Sequence, residues 1–261
     1  GKACEQAGAV VKAPRSPPHG VRGVGAAMAR ASDFSRIPDY LETANDEICL
    51  LVQVESRAGL EALDEIVALD GIGSASDPTS SAALVEAAIG RHGRIDAAAL
   101  FSGQIVTGRF LDHTAEDLSR VVRGCIEPPF HFLQAVLPSM VERNAGQVLV
   151  ITSASAARAT KGAPLYSSAR AAATHLVRNV AAEVAGAGVQ VNAVGTNFMD
   201  FPAFRAATGA DDPATRATIE RAVPMHRLGT MEELAAMCAV FLDGTTGFTT
   251  GQFVAYAGGW A

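Results

Sequence analysis

The chain has 261 residues, of which 49% are hydrophobic and 6% aromatic, so it can bury a core built mostly from small aliphatic side chains. Its 21 basic and 27 acidic residues give a net charge of −6, which disfavours nucleic-acid binding, and no apolar run approaches the roughly 18 residues of a membrane span. The four cysteines stand far apart and no histidine pair has metal-ligand spacing, so we expect a cytoplasmic protein with reduced thiols and no bound metal.

The pattern of apolar residues predicts an alternation of strands and helices. Candidate strands at 9–12 and 48–54 are separated by a segment rich in proline and glycine. From about residue 80 the pattern predicts helices over 79–92, 115–143, 166–185 and 231–242, and strands over 95–101, 147–152, 189–194 and 252–257. Pro128 and Pro129 should kink the second helix. We therefore expect a single α/β domain over residues 1–261, with a Rossmann-like doubly wound parallel sheet and helices on both faces.

Three polar residues stand where such a sheet carries its chemistry. Ser153 follows a buried strand, and open parallel sheets bind ligands outside the carboxyl ends of their strands. Tyr166 opens the next helix, and Arg170 lies four residues on, on the same helical face. A guanidinium beside a phenol favours the phenolate, which can act as a general base while Ser153 holds the substrate oxygen. A Tyr–Arg pair taken alone also fits a solvated face or a packing contact.

Further motifs resemble the short-chain dehydrogenase/reductase family. Ser153, Tyr166 and a basic residue at 170 match its catalytic triad. Other stretches in the family's order are HGRID at 92–96, AVLP at 135–138, GQVLVITS at 146–153, VNAV at 191–194, RLGTMEEL at 227–234, TGQ at 250–252 and GGW at 258–260. The resemblance covers roughly residues 77–261 and implies the Rossmann-like fold of this family.

Several positions on the nicotinamide side depart from the dehydrogenase pattern. Arg170 replaces the lysine that also binds the nicotinamide ribose, and it is not an equivalent donor. LFSG at 100–103 replaces the family's NNAG, and Cys125 replaces a catalytic asparagine. Thr196 and Asn197 replace the Pro-Gly pair that shapes the nicotinamide pocket.

The start of the chain departs as well. Glycines at 20, 23 and 25 are spaced one residue too closely for the pyrophosphate loop of the family. Pro17 and Pro18 precede them and have no amide hydrogen to offer a phosphate. We therefore expect that the chain binds no cofactor.

A Ser–Tyr–Arg triad on this fold without a dinucleotide site resembles the halohydrin dehalogenases. Their helix commonly begins Y-x-x-A-R, which matches YSSAR at 166–170. The resemblance implies that Thr196, Asn197 and Phe198 form the halide site, where consecutive backbone amides in a turn can surround an anion. We expect Phe201 and Phe204 to line the substrate pocket, although two phenylalanines beside a proline also fit a simple core.

The resemblance implies reversible conversion of vicinal haloalcohols into epoxides and halide, and opening of epoxides by small anions. It also implies a homotetramer joined through the helices at about 115–143 and 166–185. Two alternatives stay open. One is an NAD(P)-dependent oxidoreductase with Arg170 in place of lysine, in which Glu55 holds a ribose. The other is a non-enzymatic scaffold or regulator.

Overall fold

The computed structural model describes residues 78–261, so the strands predicted at 9–12 and 48–54 lie outside the described part of the chain. The chain divides into two compact units, Gly1–Arg94 and Ile95–Ala261. Helix α1 (Pro78–His92) belongs to the first unit, and the other described helices and strands belong to the second.

The second unit contains a parallel sheet. Its strands are β1 (Ala97–Phe101), β2 (Gly146–Ser153), β3 (Val189–Thr196) and β4 (Phe253–Tyr256), which lie side by side in that order. Each neighbouring pair runs parallel. This arrangement confirms the predicted α/β class with a Rossmann-like sheet.

The helices of this unit are α2 (Ala115–Cys125), α3 (Glu127–Arg143), α4 (Pro164–Val184), α5 (Pro202–Thr208), α6 (Pro213–Arg221) and α7 (Met231–Leu242). Short 3-10 turns lie at Phe110–Asp112, Ala154–Ala157 and Ala185–Ala187. Helices α5 and α6 occupy a region for which the sequence pattern predicts no element. In the part of the chain that the structure describes, no helix is long and apolar enough to cross a membrane.

The region 115–143 forms two helices and not the single kinked helix predicted above. Helix α2 ends at Cys125, and Ile126 separates it from α3. Pro128 and Pro129 consequently fall in the first turn of α3, where a residue without an N–H leaves no helical hydrogen bond unmade. The prolines therefore start a helix instead of bending one.

Helices cover both faces of the sheet. On one face, α7 packs Leu234, Cys238 and Phe241 into a core cluster with Leu149, Ile151 and Val194. On the other face, Thr174 Oγ1 of α4 donates a hydrogen bond of 3.1 Å to Thr152 Oγ1. Because side chains alternate across a strand, the long apolar runs of β2 and β3 serve both layers at once.

The register aligns the carboxyl ends of three strands. Ser153 pairs with Thr196, and Thr196 pairs with Tyr256, so these residues form one rung across the sheet. The rung lies at the edge where parallel sheets bind ligands. The fold therefore places Ser153 beside the loop that follows β3.

Candidate active site

Ser153 is the last residue of β2 and is buried. Its hydroxyl oxygen accepts two hydrogen bonds, from the Ser155 amide at 3.2 Å and from the Ser155 hydroxyl at 2.9 Å. Both bonds come from the 3-10 turn that begins at Ala154. The turn fixes the Ser153 side chain at the edge of the sheet and leaves its own proton to be donated elsewhere.

Tyr166 and Arg170 lie on the first two turns of α4 and contact each other. Arg170 Nε donates to Tyr166 Oη at 3.2 Å, and the guanidinium carbon lies 5.4 Å from the centroid of the phenol ring. Arg170 is only 5% exposed, whereas Tyr166 is half-buried. The structure therefore brings together the two helical residues that the sequence places on one face.

A hydroxyl next to Tyr166 ties α4 to the turn after Ser153. Ser167 Oγ donates to the Ser155 carbonyl at 2.7 Å and to the Arg158 carbonyl at 3.2 Å. Since Ser155 also holds the Ser153 hydroxyl, one set of hydrogen bonds orients both the strand end and the start of the helix. Ser155 and Ser167 are supporting residues that the sequence motifs do not single out.

The guanidinium of Arg170 rests on Ser102 and Gly103. Arg170 Nη2 donates to the Ser102 carbonyl. A Cβ atom on Gly103, which has a φ of +150°, would lie 1.8 Å from Arg170 Nη2. Glycine is therefore required at 103 for the guanidinium to occupy this place.

Two buried polar atoms beside this contact have no hydrogen-bond partner among the described residues, Arg170 Nη1 and Ser102 Oγ. A buried guanidinium is costly unless its donors are satisfied, so these two atoms are the unsatisfied polar groups beside Tyr166. No group of three or more His, Cys, Asp or Glu side chains able to hold a metal occurs within residues 78–261.

Cys125, which the sequence resemblance places at the family's catalytic asparagine, is fully buried. Its thiol accepts a hydrogen bond from the Gln104 amide at 3.4 Å and donates to the Gln104 carbonyl at 3.5 Å. Val106, Val121 and Ala169 surround it in a small core cluster against which Tyr166 also packs. The thiol therefore belongs to the core cluster that packs against Tyr166.

The loop at residues 196–198 differs from the expected arrangement of free amides. The Asn197 amide donates to the Tyr256 carbonyl at 3.4 Å, and the Phe198 amide donates to Asn197 Oδ1 at 2.9 Å. Phe198 has a φ of +56°, a conformation that is unusual for a bulky residue. Two of the amides in the predicted halide nest are thus engaged in this conformation, and the halide role of Thr196, Asn197 and Phe198 stays a prediction.

A cavity of about 260 Å³ adjoins this loop at the carboxyl ends of β3 and β4. Asn197, Phe198 and Met199 form one wall, and Tyr256, Ala257 and Gly258 form another. Arg227 and Glu233 also line it and form a bidentate ion pair whose shorter contact is 2.6 Å. The cavity is large enough for a small molecule.

Phe201 and Phe204 lie at the start of α5, with ring centroids 6.1 Å apart. Phe201 is 37% exposed and Phe204 is half-buried, and their role in the substrate pocket stays a prediction. Asp200, just before them, accepts hydrogen bonds of 2.7 Å from both Arg205 and Arg216. The hydrogen bond from Arg216, followed by the one from Arg205, lowers the pKa of Asp200. Through these two bonds the Asp200 carboxylate links α5 and α6 to the end of β3.

Comparison with known proteins gives different results for the two ends of the chain. Residues 49–261 match the family model described as enoyl-(acyl carrier protein) reductase. Residues 2–76 match the HpcH/HpaI aldolase/citrate lyase model. A hydroxypyruvate/pyruvate aldolase of Roseovarius nubinhibens is 62% identical over 71 residues, which are 27% of this chain and 28% of that protein. The chain thus spans about a quarter of the length of the aldolases it matches.

Solved structures match most of the chain. A protein titled "Dehalogenation enzyme" is 32% identical, with a TM-score of 0.67 over 81% of this chain and 87% of that chain. The structure titled "ElxO with NADP Bound" has a TM-score of 0.71 but only 18% identity, over 84% of this chain and 91% of that chain. The second likeness supports the fold alone.

The aldolase-like segment changes the interpretation of the start of the chain. The glycines at 20, 23 and 25 and the two prolines before them lie inside it and outside the described residues. Their spacing is therefore no evidence for an altered pyrophosphate loop, contrary to the expectation above. Glu55 also lies outside the described residues, where the two family matches overlap. The single domain over residues 1–261 stays a prediction.

Proposed function

We propose that this chain, which belongs to the enoyl-(acyl carrier protein) reductase family of short-chain dehydrogenase/reductase folds through residues 49–261, acts as a halohydrin dehalogenase. The observation that carries the proposal is the contact of 3.2 Å between Arg170 Nε and Tyr166 Oη. An arginine, buried against the Ser102 carbonyl, takes the place of the lysine of the dehydrogenases. The 32% identity to a protein titled "Dehalogenation enzyme" supports the same reaction class.

In the proposed reaction, a vicinal haloalcohol places its hydroxyl between Ser153 and Tyr166. Tyr166, whose oxygen is held by Arg170 Nε, acts as the general base and takes the hydroxyl proton, while Ser153 donates a hydrogen bond to the same oxygen. The oxygen attacks the neighbouring carbon from behind, the carbon–halogen bond breaks and an epoxide forms. Halide leaves towards the 196–198 loop. In reverse, Tyr166 protonates the epoxide oxygen while a small anion opens the ring.

The halide part of this proposal requires a movement of the Asn197 side chain, with the loop backbone kept in place. The Phe198 amide can meet an anion only if the Asn197 carboxamide releases it, because that bond of 2.9 Å now occupies the amide hydrogen. The anion would then take the place of Asn197 Oδ1 as the acceptor of the Phe198 amide. Orientation of the reacting groups and stabilisation of the leaving anion are the contributions we assign to the protein.

The test is halide release from 1,3-dichloro-2-propanol without added cofactor. Tyr166→Phe removes the proton acceptor and Ser153→Ala removes the hydroxyl, so each should lower turnover at least about a hundredfold. Ser139→Ala is a matched control, since the Ser139 hydroxyl donates to the Val136 carbonyl within α3, away from the candidate catalytic residues. Near-normal halide release by Tyr166→Phe would refute the assignment.

A second candidate is an NAD(P)-dependent oxidoreductase, which the family match favours. The described residues fit a nicotinamide dinucleotide at one place, because Arg170 Nη1 and Ser102 Oγ are buried donors that could hold a ribose hydroxyl. Such a cofactor supplies hydride transfer. Titration with NADH and NADPH, followed by ultraviolet absorbance, separates the two candidates. Saturable binding at micromolar levels would exclude the cofactor-free proposal.

We also propose a homotetramer joined through α2, α3 and α4. Large apolar side chains are exposed on two of these helices, with Leu118 at 51% on α2 and Phe130 at 44% on α3. Light scattering should give four chains per particle. If the wild type is a monomer and Phe130→Glu gives the same particle mass, this assembly is ruled out.

A further inference from the structure

We propose that Trp260 and Arg158 are positioning residues that hold the 196–198 loop in place and connect it to the segment between Ser153 and Tyr166. The inference rests on the proposed function, because it assigns these residues to the loop that would receive the leaving anion. The GGW motif at 258–260, which contains Trp260, has no part in the reaction described above.

Trp260 contacts the loop directly. Its ring meets the ring of Phe198 edge to face, with centroids 5.4 Å apart and an interplanar angle of 77°. This is a favourable geometry for an aromatic pair. Trp260 is also the only tryptophan of the chain, so tryptophan fluorescence reports on its surroundings, which include Phe198.

Arg158 contacts the same tryptophan. The Arg158 guanidinium lies 4.7 Å from the centroid of the Trp260 ring, within the range of a cation–π contact. Arg158 Nη1 also donates to the Trp260 carbonyl at 2.6 Å. One side chain therefore fixes both the ring and the backbone of Trp260.

The backbone of Arg158 is in turn fixed next to the candidate catalytic residues. Its carbonyl accepts from Ser167 Oγ, and its amide donates to the Ser155 carbonyl at 3.4 Å. Ser155 holds the Ser153 hydroxyl, and Ser167 follows Tyr166 in α4. Contacts thus run without a gap from the Ser–Tyr pair through Arg158 and Trp260 to Phe198.

Phe198 needs such support. A bulky residue with a φ of +56° is strained and keeps this conformation only when its surroundings hold it. The Phe198 amide donates to Asn197 Oδ1 at 2.9 Å, and the Phe198 carbonyl accepts from the Gly229 amide at 2.9 Å. The Trp260 ring adds a side-chain contact to this support. Loss of Trp260 should let the loop leave its strained conformation.

The experiment compares Trp260→Ala, Trp260→Phe and Arg158→Gln with Arg178→Gln, which changes an exposed arginine of α4. The first measurement is amide hydrogen exchange at Asn197 and Phe198. Trp260→Ala should speed this exchange about tenfold, and Arg158→Gln about two- to fivefold, which is the worth of an exposed cation–π contact. Trp260→Phe keeps an aromatic edge against Phe198 and should restore most of the protection. Arg178→Gln should behave as the wild type.

The second measurement is epoxide opening by azide. Trp260→Ala should raise the KM for azide about tenfold, and Arg158→Gln should raise it about two- to fivefold. The kcat should change less in both variants, because the loop binds the anion and Tyr166 carries the proton. In the wild type and Arg158→Gln, bromide should also change the Trp260 fluorescence saturably.

The outcomes separate the inference from the proposed function. Unchanged exchange at Asn197 and Phe198 in both disruptive variants overturns the inference, whatever the activity. Equal acceleration of exchange throughout β2 and α4 overturns it too, because it indicates a general loss of stability. If the wild type neither releases halide nor binds bromide, the proposed function fails, and the exchange data still decide the positioning role.

Discussion

Gly103 provides a sharp test of the Arg170 contact, because substitution by alanine changes the position of the guanidinium without touching its charge. The added Cβ would lie 1.8 Å from Arg170 Nη2 and 2.5 Å from Arg170 Cζ. Non-bonded heavy atoms rest at about 3.5–4.0 Å, so the guanidinium must move by about 2 Å. Its hydrogen bond of 3.2 Å to Tyr166 cannot survive such a shift.

The Gly103→Ala variant should lose some free energy of unfolding but remain folded. The clashing atoms are the end of a flexible side chain and can swing away. The remaining cost is an alanine at a φ of +150°, about 1–3 kcal/mol. A domain stable by about 5–15 kcal/mol still folds, with a melting temperature lowered by roughly 2–12 °C.

Halide release at 25 °C should therefore fall at least about tenfold in Gly103→Ala, as expected when a group that assists proton transfer is displaced. Gly244→Ala is the matched control, since Gly244 has a φ of +73° and its nearest neighbour, the Gln147 side chain, lies at 3.8 Å. It carries a similar backbone strain without the clash. Wild-type turnover in Gly103→Ala would show that the Arg170–Tyr166 contact has no part in the reaction.

Three further predictions concern the charges of the unit. Asp200→Asn removes the carboxylate shared by Arg205 and Arg216, so it should lower stability by about 1 kcal/mol in urea unfolding and, by loosening α5, raise KM more than kcat; an unchanged KM would count against the proposed pocket role of Phe201 and Phe204. The pKa of Glu233 is lowered from 4.5 to about 2, chiefly by its hydrogen bond with Arg227, so its stabilising effect is complete above pH 4.5 and is lost as the pH falls towards 2. The melting temperatures of wild type and Glu233→Gln should accordingly differ at pH 7 and converge near pH 2, and a constant difference would count against the ion pair. Arg170→Lys should retain more halide release than Arg170→Gln, since it keeps the charge; equal loss would remove the electrostatic role.

The order of elements after residue 80 could be predicted because long segments with a clear apolar period leave little choice of structure. The region 115–143 shows the limit of this approach. Two adjacent prolines indicate a disturbance, but a proline is tolerated in the first turn of a helix and not in its interior. Only the backbone at Ile126 decides that α3 begins there.

Helices α5 and α6 could have been found from their starts. Pro202 and Pro213 stand in the first turns, and Asp212 caps α6 by accepting from the Thr215 amide at 2.8 Å. Their apolar faces are too short to show a period. The Asp200 links escaped prediction for another reason, since Arg216 is 16 positions away and no local pattern reports on such a contact.

The start of the chain illustrates how weak a glycine pattern is as evidence for a nucleotide. Glycines at 20, 23 and 25 between two candidate strands resemble a phosphate loop, yet this stretch matches aldolases. Turns rich in glycine follow strands in many unrelated α/β proteins, so the spacing alone carries little information. The triad and the motifs after residue 90 are more specific, because they combine several residue types over a long span.

The rung formed by Ser153, Thr196 and Tyr256 sets the distance between the strand ends at the candidate site. Neighbouring strands of a sheet lie about 4.8 Å apart, so the backbones at Ser153 and at Thr196, where the loop begins, are separated by about one strand spacing. A ligand held at both ends of this rung should carry its two polar groups a similarly short distance apart. Neighbouring carbons carrying an oxygen and a halogen satisfy this limit, and a longer spacer between them would force the ligand to give up one of its two contacts.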